Sequence, residues 1–181
     1  MKFTGSGELR VENAESGKSF AVVMQNGENT AVGPVRVLSP ANYDATLYFA
    51  NGANWAGTVI AGDVALTNLT DGAAASTVTF GTLDLAADFT VRVWKENGTL
   101  VNDTVNVGQY VNHGGKLVPQ LLTDGASFAP GDRITLGSID ASSPLPTAGR
   151  GWRCKLVDNG LDNDTKTLIL SYSRGLQVIL Q

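Results

Sequence analysis

Cysteine and histidine are nearly missing from this chain: Cys154 is its one cysteine and His113 its one histidine. An intramolecular disulfide is therefore impossible, and a structural zinc site built from Cys and His within one chain is excluded, because it takes four such ligands. A thiol nucleophile needs a base beside it, and nothing in Asn112-His113-Gly114-Gly115 points towards Cys154. Alternation in Trp152-Arg153-Cys154-Lys155-Leu156 puts Trp152, Cys154 and Leu156 on one face, so Cys154 reads as a small buried hydrophobe. Charge is sparse as well, at 17% of residues against roughly 25% in an ordinary soluble domain. The net charge of −4 lacks the basic excess of a phosphate-backbone binder, which argues against nucleic acid as a partner. No run of about 18 apolar residues occurs, so no membrane-spanning helix is expected. Met1-Lys2-Phe3-Thr4-Gly5-Ser6-Gly7-Glu8 has no apolar core of a secretory signal. Either the protein stays inside the cell, or Met1 opens an excised piece of a longer exported chain.

What the chain does have is small and turn-forming. It holds 21 Gly, 17 Thr, 13 Asn and 12 Asp, while Lys and Glu, the common surface helix formers, total 11. That balance favours strands and turns. A length of 181 residues suits one domain with a sizeable core. The clearest periodic signal runs from Thr82 to Trp94, with Leu83, Leu85, Ala87, Phe89, Val91 and Val93 at every odd position. A period of two means strand. The run exceeds the usual length of about 5–6 residues, so a bend is expected near Ala86-Ala87-Asp88. Shorter alternating runs recur on both sides, separated by six Asx-Gly pairs from Asn26-Gly27 to Asn159-Gly160. These pairs mark tight turns, because Gly adopts positive φ without penalty and Asx tolerates it. The fold class expected is all-β.

Two all-β architectures compete, a β-sandwich and a right-handed parallel β-helix, that is, a solenoid of stacked coils. Gly62-Asp63-Val64-Ala65-Leu66 is followed 19 residues later by Gly81-Thr82-Leu83-Asp84-Leu85, and about 20 residues further on comes Asp103-Thr104-Val105-Asn106-Val107. A recurring Gly-x-hydrophobic-x-hydrophobic segment is the expected signature of a solenoid rung and favours the second architecture. Residues 1–115 are thus assigned to solenoid rungs. After residue 115 the prolines Pro119, Pro130, Pro144 and Pro146 break the spacing, and 116–181 are assigned to irregular strands and capping hairpins of the same domain. Trp152 to Val157 and Lys166 to Tyr172 flank a polar loop and form the expected C-terminal antiparallel hairpin cap, with a final strand at Leu176 to Leu180. Such a cap covers the hydrophobic cross-section and strand edges that a last rung exposes.

Several segments resemble a known family. Val78-Thr79-Phe80-Gly81-Thr82-Leu83-Asp84-Leu85, Ala53-Asn54-Trp55-Ala56-Gly57-Thr58-Val59, and Gly114-Gly115-Lys116-Leu117 resemble exported bacterial surface proteins with autotransporter-associated β-strand repeats. Thr167-Leu168-Ile169-Leu170-Ser171-Tyr172 followed by Arg174-Gly175 is similar to the way such passenger-type chains close. The resemblance spans residues 50 to 181 and is one of texture. It implies a β-helix stalk or its C-terminal end, secreted or displayed on the cell surface and continuous with further upstream repeats. The chain departs from the true autotransporter pattern in having no membrane-barrel translocator and no signal peptide, which leaves the export route open.

Candidate chemistry is thin. Asp158-Asn159-Gly160-Leu161-Asp162-Asn163-Asp164-Thr165 gathers carboxylate and amide oxygens around a glycine, as a hard cation requires. Asp158, Asp162 and Asp164 are the candidate Ca²⁺ ligands, although the order of an EF-hand loop and its distal Glu are absent; the plainer alternative is a solvated hairpin loop. No other cofactor is implied. Four Asn-x-Ser/Thr sequons, at Asn68, Asn97, Asn102 and Asn163, arise by chance in so Thr- and Asn-rich a chain. Asp84 and Asp88 share a strand parity, with Arg92 and Lys95 nearby, but no second cluster supplies a basic groove, so no catalytic residues are assigned. Trp55, Trp94, Tyr43, Tyr48 and Tyr110 offer planar faces for sugar rings, with Trp94, opposite the apolar row, the best candidate for exposure; the plainer alternative is that these aromatics plug the core, and no binding residues are assigned. The function expected is a structural or adhesive segment of an exported surface protein without catalysis, meeting a glycan or another extracellular ligand. The alternative is a carbohydrate-active module that binds or cleaves a glycan on an exposed sheet face.

Overall fold

The structure, a computed structural model, describes residues 2–12, 19–25, 27–38, 44–62, 64–66, 75–160 and 164–173. Strand and turn make up these residues, with no helix among them. Successive strands alternate between stacks. β1 (Leu9–Glu12), β3 (Val35–Leu38), β5 (Asn54–Ile60), β7 (Thr77–Leu85), β10 (Thr104–Asn112) and β12 (Arg133–Asp140) are parallel neighbours in one sheet. The strands between them form the other stacks. β2 (Ser19–Met24), β4 (Asp44–Phe49) and β6 (Val64–Leu66) pair in parallel, as do β8 (Phe89–Glu96) and β11 (Leu117–Leu121). A chain that returns to the same sheet once per circuit, always in parallel, is coiling. The molecule is a β-solenoid; a sandwich would have been dominated by antiparallel pairs.

The coil length corrects the expected repeat. Leu9, Val35, Val59, Leu83 and Tyr110 stack in register at separations of 26, 24, 24 and 27 residues. The matching segments are therefore Gly7-Glu8-Leu9-Arg10-Val11, Gly33-Pro34-Val35-Arg36-Val37, Gly57-Thr58-Val59-Ile60-Ala61, Gly81-Thr82-Leu83-Asp84-Leu85 and Gly108-Gln109-Tyr110-Val111-Asn112. The first four segments keep the expected Gly-x-hydrophobic-x-hydrophobic pattern and the fifth ends on Asn112, but the 20-residue spacing is wrong. Val64 to Leu66 lie in β6, in a different sheet from β7, and Thr104 to Val107 lie ahead of the glycine of their own coil. Two segments on different sides of one coil share a local pattern because each alternates inward and outward.

The glycines sit where coils come closest. A Cβ on Gly33, Gly57, Gly81 or Gly108 would lie closer than 3.0 Å to a backbone carbonyl oxygen of the preceding coil: Gly7, Gly33, Ala56 and Gly81 respectively. In β7 the inward residues are Val78 and Phe80 before Gly81, then Leu83 and Leu85 after it, so the alternation shifts by one at the glycine. β10 makes the same shift at Gly108, between Val107 and Tyr110. Each glycine thus marks the corner at which one strand turns around the coil, and opposite Gly81 the pairing of β5 with β7 shifts register between Trp55 and Thr58. The long alternating run from Thr82 to Trp94 bends at the expected place, since β7 ends at Leu85 and β8 begins at Phe89, in another stack.

The interior is a column of side chains in register. Trp55, Phe80, Val107 and Ile139 follow one another up the sheet, and Phe89, Val91 and Val93 sit against Leu117, Pro119 and Leu121. Phe80 stacks edge-on to Phe49 at 4.9 Å and to Phe89 at 6.4 Å, which ties the two sides of the coil together. The parallel stack runs beyond β11, because Leu117 bridges Ala148. The C-terminal cap forms as expected. β14 (Thr165–Tyr172) runs antiparallel to β12, and β13 (Trp152–Asp158) covers β14. Phe128, Trp152 and Tyr172 pack at centroid distances of 4.8, 5.2 and 5.7 Å beneath this hairpin. The strand expected at Leu176 to Leu180 lies outside the described residues.

Candidate functional site

A furrow of about 350 Å³ crosses the outer face of the long parallel sheet. One wall is a register column: Asn54 beside Thr79 and Thr79 beside Asn106, with Ser138 continuing it. The Asn106 Oδ1 accepts hydrogen bonds from the Ser138 backbone N at 2.9 Å and from its Oγ at 3.0 Å. Asn54 Nδ2 donates to the Asn29 carbonyl at 3.4 Å, and Asn29 Nδ2 donates to the Asn54 carbonyl at 3.1 Å. These amides are fixed by the coils above and below them. The floor is bare backbone at Gly81 and Gly108, since the corner glycines carry no side chain to fill it. Asp140 is the one charged residue among the lining. The arrangement offers amide, hydroxyl and carboxylate groups along a groove that backbone geometry keeps open, which suits a neutral, hydroxyl-rich chain.

Three of the five aromatic candidates for sugar stacking are buried, in line with the core-plugging alternative. Trp55 and Tyr110 are each 1% exposed and Trp94 is 4% exposed, so none presents a ring to solvent. The Trp55 Nε1 donates to the Gly33 carbonyl at 2.8 Å and Trp94 Nε1 donates to Glu96 Oε1 at 2.7 Å. Trp94 corrects the reading from alternation: β8 buries both Val93 and Trp94, one in the central core and one outside it. Lys95 is held by the segment after β11, its backbone N donating to Thr123 Oγ1 at 2.8 Å and its Nζ to the Ser127 carbonyl at 3.1 Å. Tyr48 is half-buried and Tyr43 lies outside the described residues.

The acidic residues are mostly absorbed by structure. Asp103 is fully buried and is gripped by Arg92, Nε to Oδ2 at 2.7 Å and Nη2 to Oδ1 at 2.8 Å, while the Ser76 backbone N donates to the same Oδ1 at 2.9 Å. Asp84 Oδ1 meets His113 Nδ1 at 2.8 Å across neighbouring coils, and Asp88 Oδ1 accepts the Lys116 backbone N at 3.0 Å. Asp84 and Asp88 are thus separated by the corner between β7 and β8 rather than aligned on one strand. Of the candidate Ca²⁺ ligands, Asp158 ends β13 and pairs with Lys166, whose ammonium holds that carboxyl below its ordinary range. Asp164 precedes β14, its carbonyl accepting the Ala141 backbone N at 2.7 Å, and Asp162 lies outside the described residues. Among the described residues no three His, Cys, Asp or Glu side chains gather as a metal site.

Cys154 packs against the core beside Trp152 and Leu156, the face that alternation assigned to it. Burial pushes its thiol up to about 11, so it stays protonated and unreactive at neutral pH. It lies near Tyr110, whose phenol burial also raises and whose hydroxyl finds no hydrogen-bond partner among the described residues. His113 is engaged with Asp84, so the two groups are committed to different neighbours.

The furrow was missed by sequence reasoning because its wall is a column across coils, not a run along the chain. Aligning the chain on Gly81 and Gly108 places Thr79 and Asn106 side by side, whereas Asn54 is one position out of step with Gly57 and joins the column only through the register shift between Trp55 and Thr58. Among the described residues no helix is long and apolar enough to cross a membrane. No protein-family model, curated protein or solved structure matches the chain.

Proposed function

We propose that this chain is a structural segment, a stiff stalk or spacer, of an exported bacterial surface protein of the autotransporter-associated repeat type. The observation that supports this reading is the inter-coil ladder. Backbone pairing, the glycine corners and the interlocked Asn29, Asn54 and Asn106 amides all run along one axis, and a hairpin closes one end. Such a stack resists unfolding through nearest-neighbour contacts repeated down its length. Its polar side chains are used to hold coils together rather than to do chemistry. The reading is tested by antibody labelling of intact cells of the source organism, with and without external protease. Surface label removed by protease is the expected result; a signal only after lysis overturns the surface assignment.

A second reading rests on the furrow. Its Asn, Thr, Ser and Asp groups over a glycine floor suit hydrogen bonding to a glycan, with no aromatic stacking. A glycan array probed with the native protein and with Thr79→Arg, which fills the furrow from an exposed position, distinguishes it. Binding lost in the variant supports a glycan-binding module, and an array without signal removes it.

A further inference from the structure

The end of the solenoid opposite the hairpin is built differently. β1 and β2 are the terminal strands of their sheets, and no strand pairs with their outer edges among the described residues. Between them lies a mostly apolar hollow of about 300 Å³ lined by Phe3, Leu9, Val11, Val22, Val23 and Met24, with Gln25 its one polar residue. Val22 and Val23 are 38% and 40% exposed, where an unpaired surface strand would ordinarily carry polar or charged groups.

Gly7 supplies an independent indication. Every corner glycine from Gly33 to Gly108 is required because its Cβ would strike a carbonyl of the coil before it, always in that direction. Gly7 occupies the same place in the first coil, since Leu9 stands to Gly7 as Val35 stands to Gly33. A Cβ on Gly7 meets nothing within 4 Å, and its φ lies outside the left-handed region. Among the described residues, neither space nor backbone conformation calls for glycine there. A preceding coil would call for it, by the rule that governs the four glycines below.

From these features we propose that the face formed by Phe3, Leu9, Val11, Val22, Val23 and Met24 accepts one further parallel solenoid coil, supplied by polypeptide N-terminal to it. The inter-coil interface already present is thereby continued by one step. A second copy of this chain is the wrong occupant: stacking with the same polarity would require its last coil to be open, and the β13–β14 hairpin covers that end. The proposal builds on the stalk reading but is decided at the end of the coil alone, so the cell-labelling result and the result below are independent.

The test uses the full chain with one added coil. A copy of residues 29–52, or in a second protein of residues 53–77, is placed directly ahead of Phe3, and Gly7→Ala is introduced into the parent and into both extended proteins. The expected result is that Gly7→Ala changes the parent Tm by less than 1 °C but lowers the Tm of an extended protein by 5 °C or more. Amide exchange across Leu9–Glu12 should also slow at least tenfold on extension. If Gly7→Ala is silent in both extended proteins and Leu9–Glu12 exchange is unchanged, the proposal is overturned. It is equally overturned if the parent forms a dimer by analytical ultracentrifugation that protects Leu9–Glu12 and is lost in Gly7→Ala, because the occupant is then a second copy.

Discussion

Asp103 has no exposed surface, and its carboxylate oxygens accept from the two-pronged Arg92 guanidinium and from the Ser76 backbone N. Removing one partner of a buried pair leaves the other charge uncompensated, typically at a cost of about 3–5 kcal/mol. Arg92→Ala is therefore expected to lower unfolding stability by about 3 kcal/mol in urea titrations at pH 7; a loss under about 1 kcal/mol would show that Asp103 is held by other means. Cys154 yields a pH prediction. Its folded-state pKa of about 11 lies above the ordinary 9.0, and the buried Tyr110 phenol is shifted the same way. A raised pKa means that the fold retains a proton the unfolded chain releases. The stability linked to that proton is intact below pH 9 and is lost as pH rises from 9 through 11. The urea midpoint should fall across that window, and Cys154→Ala should make the fall shallower; equal slopes in the two proteins would contradict the assignment.

At the scale of the element, corners and caps decide what each strand can do. Gly81→Ala places a methyl group against the Ala56 carbonyl, a backbone atom that cannot swing away. A forced backbone shift inside a packed structure costs about 1–3 kcal/mol, and the variant should lose that much by thermal or urea unfolding. Gly98→Ala is the contrast. Asn97 and Gly98 turn β8 into the antiparallel β9 (Thr99–Asn102) with φ of 51° and 83°, and a Cβ on Gly98 meets nothing. Its cost is conformational strain alone, about 1 kcal/mol, so finding Gly98→Ala worse than Gly81→Ala would contradict the corner mechanism. In the C-terminal hairpin, Trp152 is 8% exposed and packs against both Phe128 and Tyr172. Trp152→Ala should cost about 3 kcal/mol and should raise amide exchange in β13 and β14 before that in β7; uniform acceleration of all strands would mean that the hairpin does not open separately.

The whole molecule is a linear stack, and linear stacks do not have uniform stability. Each coil is held by the coils on either side, so interior coils have two interfaces and the first has one. Hydrogen exchange of the native protein should therefore be slowest in β7 and β10, which pair along eight register positions from Thr77↔Thr104 to Leu85↔Asn112. It should be fastest in β1 and β2, at the open end, with the hairpin end intermediate because β14 covers β12. Equal protection from β1 to β12 would indicate one cooperative unit and contradict the nearest-neighbour view.

Composition and alternation alone determined that this chain is all-β and that a hairpin between Trp152 and Tyr172 closes it, while the choice of coil over sandwich leaned on a recurring glycine segment whose spacing the structure corrects. Those conclusions follow from backbone preferences, which are written locally: Asx-Gly pairs set turns and every second apolar residue sets an inward face. The coil length, the burial of Trp94 and the neighbours of Asp84, Asp88 and Asp103 were decided only by the tertiary structure. Alternation says which way a side chain points from its own strand, but not whether that side is covered, as it is at Trp94, which is 4% exposed. Spacing along the chain likewise cannot say which side of a coil a Gly-x-hydrophobic-x-hydrophobic segment occupies, since Val64 and Leu83 obey the same local rule in different sheets. Register between coils is set by close approach of backbone to backbone, a contact between residues about 25 positions apart, and it leaves its mark in the sequence only as the glycines that make room for it.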